Sequence, residues 1–504
     1  MRASRRSRFA VATLAAALAV PLAAGTIPGT AAGESVITAM PSLRLIGVQD
    51  HATLTQPRRG GLNIDPGVYV ASASGAFELW AQRPTYRDPL IVSQVARTRG
   101  GDVREVQALP DISVEAFTRG LPEFVRLTLT SRRGEVIRDQ KLDFCPNAYN
   151  SQRVNDNGPQ TPTYPEVCYA NPFTIGMVWG IDKGWATQFR HSLFIRRLLP
   201  EGRYTLTFAM TRLYREQFEV AAADASVTMH LDIVTRTRTE SREGSTRIAG
   251  NQSKQTELTR AQNRVPGVGA RPDVAALPAW GISVDNRRQS ERSFIRFGAT
   301  VWNRGPSPLV VEGFREENAE TMRAFQFFYR GDEVVGKAFT GRLEYDHQDG
   351  HDHWHFRDFA NYSLLNDEKN QVLRSGKEAF CLAPTDIIDV TVPGATMRPW
   401  LEGLNTACGE LDSLWIREVL ETGWGDTYAQ YRPGQSFDIT NLPNGKYFIE
   451  VRANPDGRLY EVGTGNNVAL RKIFIRGDVG NRRVFVPPYQ GIDSEGGPDC
   501  SFFC

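Results

Sequence analysis

The sequence predicts an all-β protein built from two β-sandwich-like domains in tandem. Short runs rich in β-branched and aromatic residues recur along both halves, for example at 204–208, 227–233, 294–302, 362–365, 447–451 and 468–475. Clusters of Gly, Pro and Asn separate these runs, and Asn444-Gly445 is typical of a tight turn before a strand. Neither half contains a long amphipathic helical pattern, so strands should form the core.

A chain of 504 residues is too long for one hydrophobic core, and changes in amino-acid composition along it indicate several segments. Residues 1–32 join early arginines to an apolar run too short to span a bilayer, which predicts an export signal peptide. A first β-rich domain follows at 33–234, then a polar linker at 235–271. The second β-rich domain covers 272–478, and 479–504 is a tail with a cysteine pair. We therefore expect a secreted, extracellular protein with no transmembrane segment.

Charge and cysteine content narrow the function classes. The formal net charge is +2 with no basic stripe, which argues against a nucleic-acid partner. Six cysteines are an even number in an exported chain, which favours disulfides. They form three local pairs, and we expect bonding within each: Cys145 with Cys168, Cys381 with Cys408, and Cys500 with Cys504. Metal ligation by cysteine is the lesser alternative, because CxxC spacing is absent.

Four of the seven histidines lie in the nine residues from His347 to His355. His351, His353 and His355 alternate with other residues, so on a β-strand their three imidazoles project to one side. Three neutral imidazoles on one face suit copper, zinc, nickel or iron better than magnesium or calcium. The pattern predicts a transition-metal site, against the alternative of a solvated strand with incidental histidines.

The second half contains a series of motifs in a fixed order: H-D-H-W-H-F at 351–356, S-G-K-E-A-F-C-L at 375–382, D-T-Y at 426–428, F-D-I-T at 437–440, G-K-Y-F-I-E-V at 445–451 and G-N-N-V at 465–468. In content, order and spacing these motifs resemble the catalytic domain of lysyl oxidases, and the resemblance covers roughly residues 272 to 476. The family also has a histidine shortly after the triplet where this sequence has Asn361.

The resemblance implies a copper ion on His351, His353 and His355. It further implies lysine tyrosylquinone, an organic cofactor made by covalently joining Lys377 to Tyr428. Such an enzyme uses molecular oxygen to oxidise peptidyl lysine or small primary amines to aldehydes, with release of ammonia and hydrogen peroxide. Taken singly, Lys377 would be a surface lysine and Tyr428 a core or interface tyrosine.

The reaction also needs a base near the substrate carbon. Asp426 is the candidate, because residues i and i+2 of a strand share a face and Asp426 precedes Tyr428 by two positions. A turn or capping aspartate is the alternative interpretation.

Two other functions remain open at this point. A metal-binding β-sandwich that serves as an interaction or cell-surface module would need the histidines only. A zinc hydrolase could use the triplet and a bound water. Both leave Lys377 and Tyr428 without a role, so this pair separates them from a copper and quinone amine oxidase.

The first half also looks like a degenerate copy of the second. Val136–Cys145 parallels Val372–Cys381, Leu199–Tyr204 parallels Leu442–Tyr447, and Trp80–Val92 echoes Trp302–Val311. We therefore expect the halves to share a fold. The first half should be non-catalytic, because the histidine triplet corresponds there to Ala116, Thr118 and Gly120, and Tyr428 corresponds to Phe189. Only Lys377 has a matching residue, Lys141. The alternative is that two unrelated β-sandwiches have a similar spacing of turn residues between their strands.

Overall fold

A computed structural model describes residues 40–495, with several gaps. The segments left out are 57–61, 65, 99–100, 110–116, 169–170, 190–192, 236–260, 288–290, 317–318, 348–352, 358, 377–378 and 433. The predicted signal peptide and the cysteines at 500 and 504 therefore lie outside the described residues, as do His351 and Lys377.

The amino-terminal half is formed almost entirely by strands. They are β1 (Leu43–Gly47), β2 (His51–Gln56), β3 (Leu62–Ile64), β4 (Val68–Ser72), β5 (Phe77–Gln82), β6 (Ile91–Arg97), β7 (Val103–Ala108), β8 (Leu121–Ser131), β9 (Val136–Phe144), β10 (Ser151–Arg153), β11 (Gly176–Ile181), β12 (Trp185–Gln188), β13 (Leu193–Ile195), β14 (Gly202–Met210) and β15 (Ser226–Thr235). A 3-10 turn (Phe117–Arg119) and helix α1 (Arg212–Gln217) interrupt them. The main sheets have the orders β1-β4-β12-β10, β11-β5-β6-β7 and β2-β15-β14-β8-β9, and β13 pairs with β3.

The carboxy-terminal half is also formed almost entirely by strands. Its strands are β16 (Val274–Ala276), β17 (Trp280–Arg287), β18 (Arg292–Asn303), β19 (Leu309–Phe314), β20 (Thr321–Arg330), β21 (Glu333–Asp346), β22 (His353–Arg357), β23 (Ala360–Leu365), β24 (Gln371–Arg374), β25 (Ala379–Phe380), β26 (Asp386–Ile387), β27 (Trp415–Leu420), β28 (Trp424–Tyr428), β29 (Ser436–Asp438), β30 (Gly445–Ala453), β31 (Val468–Arg476) and β32 (Arg483–Phe485). A 3-10 turn (Val268–Ala270) and helix α2 (Pro399–Glu402) complete it. The sheets run β16-β18-β28-β26, β25-β22-β21-β20-β19-β27 and β24-β23-β30-β31-β32, with β17 and β29 also on β18.

Alternating side chains explain why these segments are strands. On β14 every second residue from Tyr204 to Met210 is buried, and β31 has the same alternation. A strand with one apolar face gains stability only when that face packs against another layer. The prediction of an all-β fold with several sheets is confirmed, and the six quoted runs lie in β14, β15, β18, β23, β30 and β31.

The two halves share features of strand pairing. The orders β9-β8-β14-β15 and β24-β23-β30-β31 correspond, and the bulges between Leu129 and Thr130 and between Leu364 and Leu365 occupy equivalent positions. In each half a tyrosine hydroxyl near the start of the long strand donates to the carbonyl four residues earlier, from Tyr204 to Pro200 and from Tyr447 to Pro443, both at 2.9 Å.

The segments predicted as linker and tail also pack where the structure describes them. Ala261 and Ala270 are buried, and Arg264 N donates to the Lys337 carbonyl at 3.0 Å. Ile492 and Ser494 are buried near the carboxy terminus. One hydrophobic cluster contains core residues of both halves. Within the described part of the chain, no helix has the length and apolar character needed to cross a membrane.

Candidate metal and cofactor site

The strand β22 carries two of the three predicted metal ligands. His353 and His355 project to the same side, with their ring centroids 4.6 Å apart and their Nε2 atoms 2.9 Å apart. His355 is only 2% exposed. Two imidazole nitrogens therefore converge on one point, which fits a transition-metal ion. Among the described residues no group of three or more His, Cys, Asp or Glu side chains has ligand geometry, and His351 lies outside them.

A carboxylate stands behind this pair. Strand β21 pairs with β22 so that Asp346 lies opposite His353, and Asp346 Oδ2 is 3.5 Å from Nδ1 of His355. A carboxylate beside Nδ1 favours the tautomer that leaves Nε2 available as a ligand. His347 lies elsewhere, because its ring is 4.8 Å from that of Tyr345, which pairs with Trp354 on the opposite face of the sheet.

We predict that Asp346→Asn weakens copper binding about 10-fold to 100-fold, as expected when the partner of a ligating histidine is lost. A competitive titration with a coloured chelator would measure it. Glu344→Gln is the matched control, because Glu344 lies opposite His355 in the same strand but pairs with Arg357 at 2.9 Å. Equal weakening in both variants would contradict the assignment.

The buried face of β22 is tied to a disulfide. Trp354 is fully buried, its backbone N–H donates to the Cys408 carbonyl at 3.0 Å, and its indole N–H donates to the Glu410 carbonyl at 2.9 Å. Cys408 is bonded to Cys381, and Cys145 to Cys168, so both predicted pairs within the described chain are confirmed.

The same disulfide leads to Tyr428. The Cys381 backbone N–H donates to the Tyr428 hydroxyl at 3.1 Å, and that hydroxyl lies 3.2 Å from the Cys381 carbonyl, to which it can donate. The Tyr428 ring packs edge-on against Phe380 at 4.9 Å, and Phe380 pairs with Phe356 of the histidine strand. A single short segment, 379–381, thus contacts both the histidine strand and the tyrosine.

Acidic groups surround the Tyr428 hydroxyl. Burial raises the pKa of Tyr428 well above its usual value, and the Asp426 and Glu418 carboxyls and Tyr362 raise it further. The ring itself is partly buried against the core. A neutral phenol is therefore the resting form in the metal-free protein, and deprotonation of this tyrosine needs a nearby cation.

A family model described as lysyl oxidase matches residues 315–482, so this segment is similar to lysyl oxidases. Lysyl oxidase homolog 2 of Gallus gallus is 28% identical over 131 residues, which are 26% of this chain and 15% of that protein. The chain thus matches a small part of this relative's length, and the expected resemblance of the carboxy-terminal half is confirmed.

Sequence reasoning missed Glu418. Its carboxylate accepts a hydrogen bond from the backbone N–H group of Leu382 at 3.1 Å. It therefore holds the backbone directly after Cys381, whose N–H donates to the Tyr428 hydroxyl. Burial raises the pKa of Glu418 well above its usual value, and Asp426 raises it further. The sequence signal that could have indicated Glu418 is a glutamate placed between two apolar residues, Ile416 and Leu420, that share its buried face of β27.

Asp426 and Tyr428 share one face of β28, because they are two residues apart on that strand. Asp426 is buried, and its charge acts on Tyr428 and Tyr362. The carboxylate is thus close to the phenol ring. The structure does not describe Lys377, whose neighbour Ala379 pairs with Arg357 of the histidine strand.

The carboxyl of Asp386, behind β28, gives a pH prediction. Burial raises the pKa of Asp386 from 3.8 to about 6. The folded state then holds the proton more tightly, so the stability contributed by this group is complete below pH 3.8 and is lost as pH rises to about 6. The shift corresponds to about 3 kcal/mol. We expect the difference in melting temperature between Asp386→Asn and the unchanged protein to grow from pH 4 to pH 7, whereas a constant difference would contradict this pKa.

Proposed function

We propose that this protein is an exported copper-dependent amine oxidase that deaminates peptidyl lysine or other primary amines. One observation carries the proposal. The segment 379–381 pairs with the histidine strand through Phe380 and binds the Tyr428 hydroxyl through Cys381, and it begins two residues after Lys377. The residues that would bind the metal and those that would form the cofactor are thereby held on adjoining backbone.

The copper ligands would be His351, His353 and His355. The described pair fits this role, because the two Nε2 atoms converge and Asp346 faces the far side of His355. Imidazole nitrogens suit copper but also zinc, so the donor set supports a transition metal and Tyr428 supports copper among them.

Lys377 and Tyr428 would be the precursors of lysine tyrosylquinone. That cofactor supplies a carbonyl electrophile absent from unmodified side chains, which lets a primary amine be oxidised to an aldehyde while oxygen becomes hydrogen peroxide. Cys381 holds the hydroxyl of Tyr428 by its backbone N–H and fixes the orientation of the ring, and Phe380 packs against the ring edge-on.

Asp426 is our candidate for the base that takes the proton from the substrate carbon at its carboxylate oxygen. Its place on the Tyr428 face of β28 and its effect on the pKa of Tyr428 support this role. Glu418 would serve the same site by holding the backbone N–H group of Leu382, not by touching the substrate.

We further propose that the amino-terminal half, residues 33–234, is a degenerate, non-catalytic copy. Phe189 packs on Phe144 with ring centroids 4.8 Å apart, and Tyr428 packs on Phe380 at 4.9 Å, although the first pair is tilted and the second edge-on. Gly184 N donates to Ser72 O, and Gly423 N donates to Asn303 O, both at 2.8 Å. These shared contacts support duplication, and a phenylalanine at the tyrosine position cannot form a quinone.

The test is reaction with phenylhydrazine, a reagent for carbonyl groups. The copper-loaded, aerated protein should form a coloured adduct on the peptide that contains Tyr428, and should produce peroxide in proportion to the amine consumed. Copper binding without any adduct would reject the oxidase and leave a metal-binding β-sandwich module. Hydrolysis without oxygen uptake, in the zinc-loaded protein, would favour the hydrolase instead.

A further inference from the structure

A buried polar cluster joins the two halves directly behind Tyr428. The side-chain N–H group of Asn171 donates to Thr300 Oγ1 at 2.9 Å and to Asp386 Oδ2 at 3.3 Å. The hydroxyls of Thr300 and Thr427 are 2.6 Å apart, and the Thr427 hydroxyl also donates to Asp386 Oδ2. We call these four side chains the interhalf cluster. Its members on β18, β26 and β28 belong to one sheet, whereas Asn171 comes from the amino-terminal half.

Backbone contacts continue this junction. Ile175 N donates to Ile388 O at 2.8 Å, and Val390 N donates to Gly176 O at 3.1 Å. A Cβ atom on Gly176 would lie 2.0 Å from Asp389 Oδ1, so a larger residue there would require the Asp389 side chain to move. The segment 386–390 therefore lies between β28 and the start of β11, and an isolated bridge between Gly176 and Asp389 connects the two.

Among the described residues, this junction has no counterpart at the equivalent place in the amino-terminal half. There β10 pairs with β12 as β26 pairs with β28, and Gln152 stands where Asp386 does. Gln152 is exposed and donates to the Tyr69 hydroxyl at 2.8 Å. Asp386, by contrast, is 1% exposed and covered by Asn171. The amino-terminal half thus covers the edge strand β26, which lies beside the strand that carries Tyr428.

We propose that Asn171 is a positioning residue for Tyr428, by which the amino-terminal half fixes the strand that carries the cofactor tyrosine. Side chains alternate along β28, so anchoring Thr427 on one face fixes the direction of Tyr428 on the other. This inference rests on the proposed function for its catalytic meaning. Its structural content, that Asn171 orders β28, is independent of the metal.

Three variants test it: Asn171→Asp, Asp386→Asn, and both together. The Oδ1 atom of Asn171 accepts a hydrogen bond from Phe173 N at 3.0 Å, which aspartate can preserve. Asn171→Asp therefore keeps the local turn but turns a donor into a carboxylate that faces Asp386. In the double variant the amide of residue 386 can donate back to the new carboxylate, while Asp386→Asn alone keeps an acceptor for Asn171.

The first readout is amide hydrogen exchange of residues 424–428 in the metal-free protein, and the second is phenylhydrazine adduct per bound copper. Asn171→Asp should speed exchange roughly tenfold, as loss of a buried hydrogen bond implies, and should lower adduct yield at unchanged copper content. Asp386→Asn should exchange no faster than the unchanged protein and should keep its adduct yield, and the double variant should recover both readouts.

Asn147→Asp is the matched control. Asn147 is buried in the same half and its Oδ1 also accepts a backbone N–H, from Tyr149 at 3.0 Å, but its amide donates to Cys168 Sγ within that half. Equal exchange in Asn171→Asp and the unchanged protein, no recovery in the double variant, or the same effect from Asn147→Asp would overturn the proposal. Should Asn171→Asp not fold, recovery of folding in the double variant supports it, and failure of both overturns it. If no protein forms adduct, the proposed oxidase fails while the exchange readout still decides the role of Asn171.

Discussion

Replacing His355 with alanine should lower copper affinity more than 100-fold, because losing a ligand costs more than losing its hydrogen-bond partner, which is worth about 10-fold to 100-fold. His355 is almost fully buried, and its Nε2 lies 2.9 Å from that of His353. No exposed side chain can take its place in so enclosed a position. His353→Ala should have a similar effect, and copper content after dialysis against a weak chelator measures both.

His347→Ala is the control for these variants. The ring of His347 packs on Tyr345 at 4.8 Å, on the sheet face opposite the converging nitrogens. The His347→Ala variant should therefore retain nearly all of its copper. Equal loss from His347→Ala and His355→Ala would contradict the triplet assignment, since it would mean that the cluster binds metal without regard to strand face.

Local patterns were enough to predict the features that depend on neighbouring residues. Alternation predicted that His353 and His355 share a face, and it also predicted that Asp426 lies on the Tyr428 side of β28. Local cysteine spacing predicted two disulfides that the structure contains. In each of these cases the period of the strand or a short loop determines the geometry.

Contacts between distant segments could not be predicted in this way. Asn171 is 129 residues from Thr300 and 215 residues from Asp386, so no local pattern connects them. Glu418 likewise becomes part of the site only because Leu382, 36 residues away, presents its N–H group to it. The resemblance to lysyl oxidases also starts after residue 171, so it carried no information about the amino-terminal half.

The same long-range pairing explains why the disulfide matters to the site. Cys381 contacts Tyr428 and Cys408 contacts Trp354, so the bond between the two cysteines joins the tyrosine to the histidine strand. Spacing alone predicted the bond but not what its ends would contact. The placement of the histidine strand close to Tyr428 is therefore a consequence of how the sheets pair, which the order of residues in the sequence does not reveal.

Tyr428→Phe should abolish both the covalent link to Lys377 and the phenylhydrazine adduct while leaving the fold intact. Without the phenol oxygen the ring cannot become a quinone. The cost in stability should be about 1–3 kcal/mol, because the Cys381 N–H and carbonyl each lose a partner. Phe189 already packs in the equivalent position of the amino-terminal half, 4.8 Å from Phe144, so a phenylalanine ring suits this kind of site.

Peptide mapping of the aerated, copper-loaded protein measures the link as a joined pair of peptides. Lys377→Arg should also abolish it, whereas Lys141→Arg, which changes the corresponding lysine of the amino-terminal half, should leave it unchanged. Lys141 lies on β9 and forms an ion pair with Glu123 at 2.5 Å, in the amino-terminal half and not beside Tyr428. A protein that oxidises amines while both Lys377 and Tyr428 remain unmodified would reject the cofactor assignment, because the amine chemistry would then need a different electrophile.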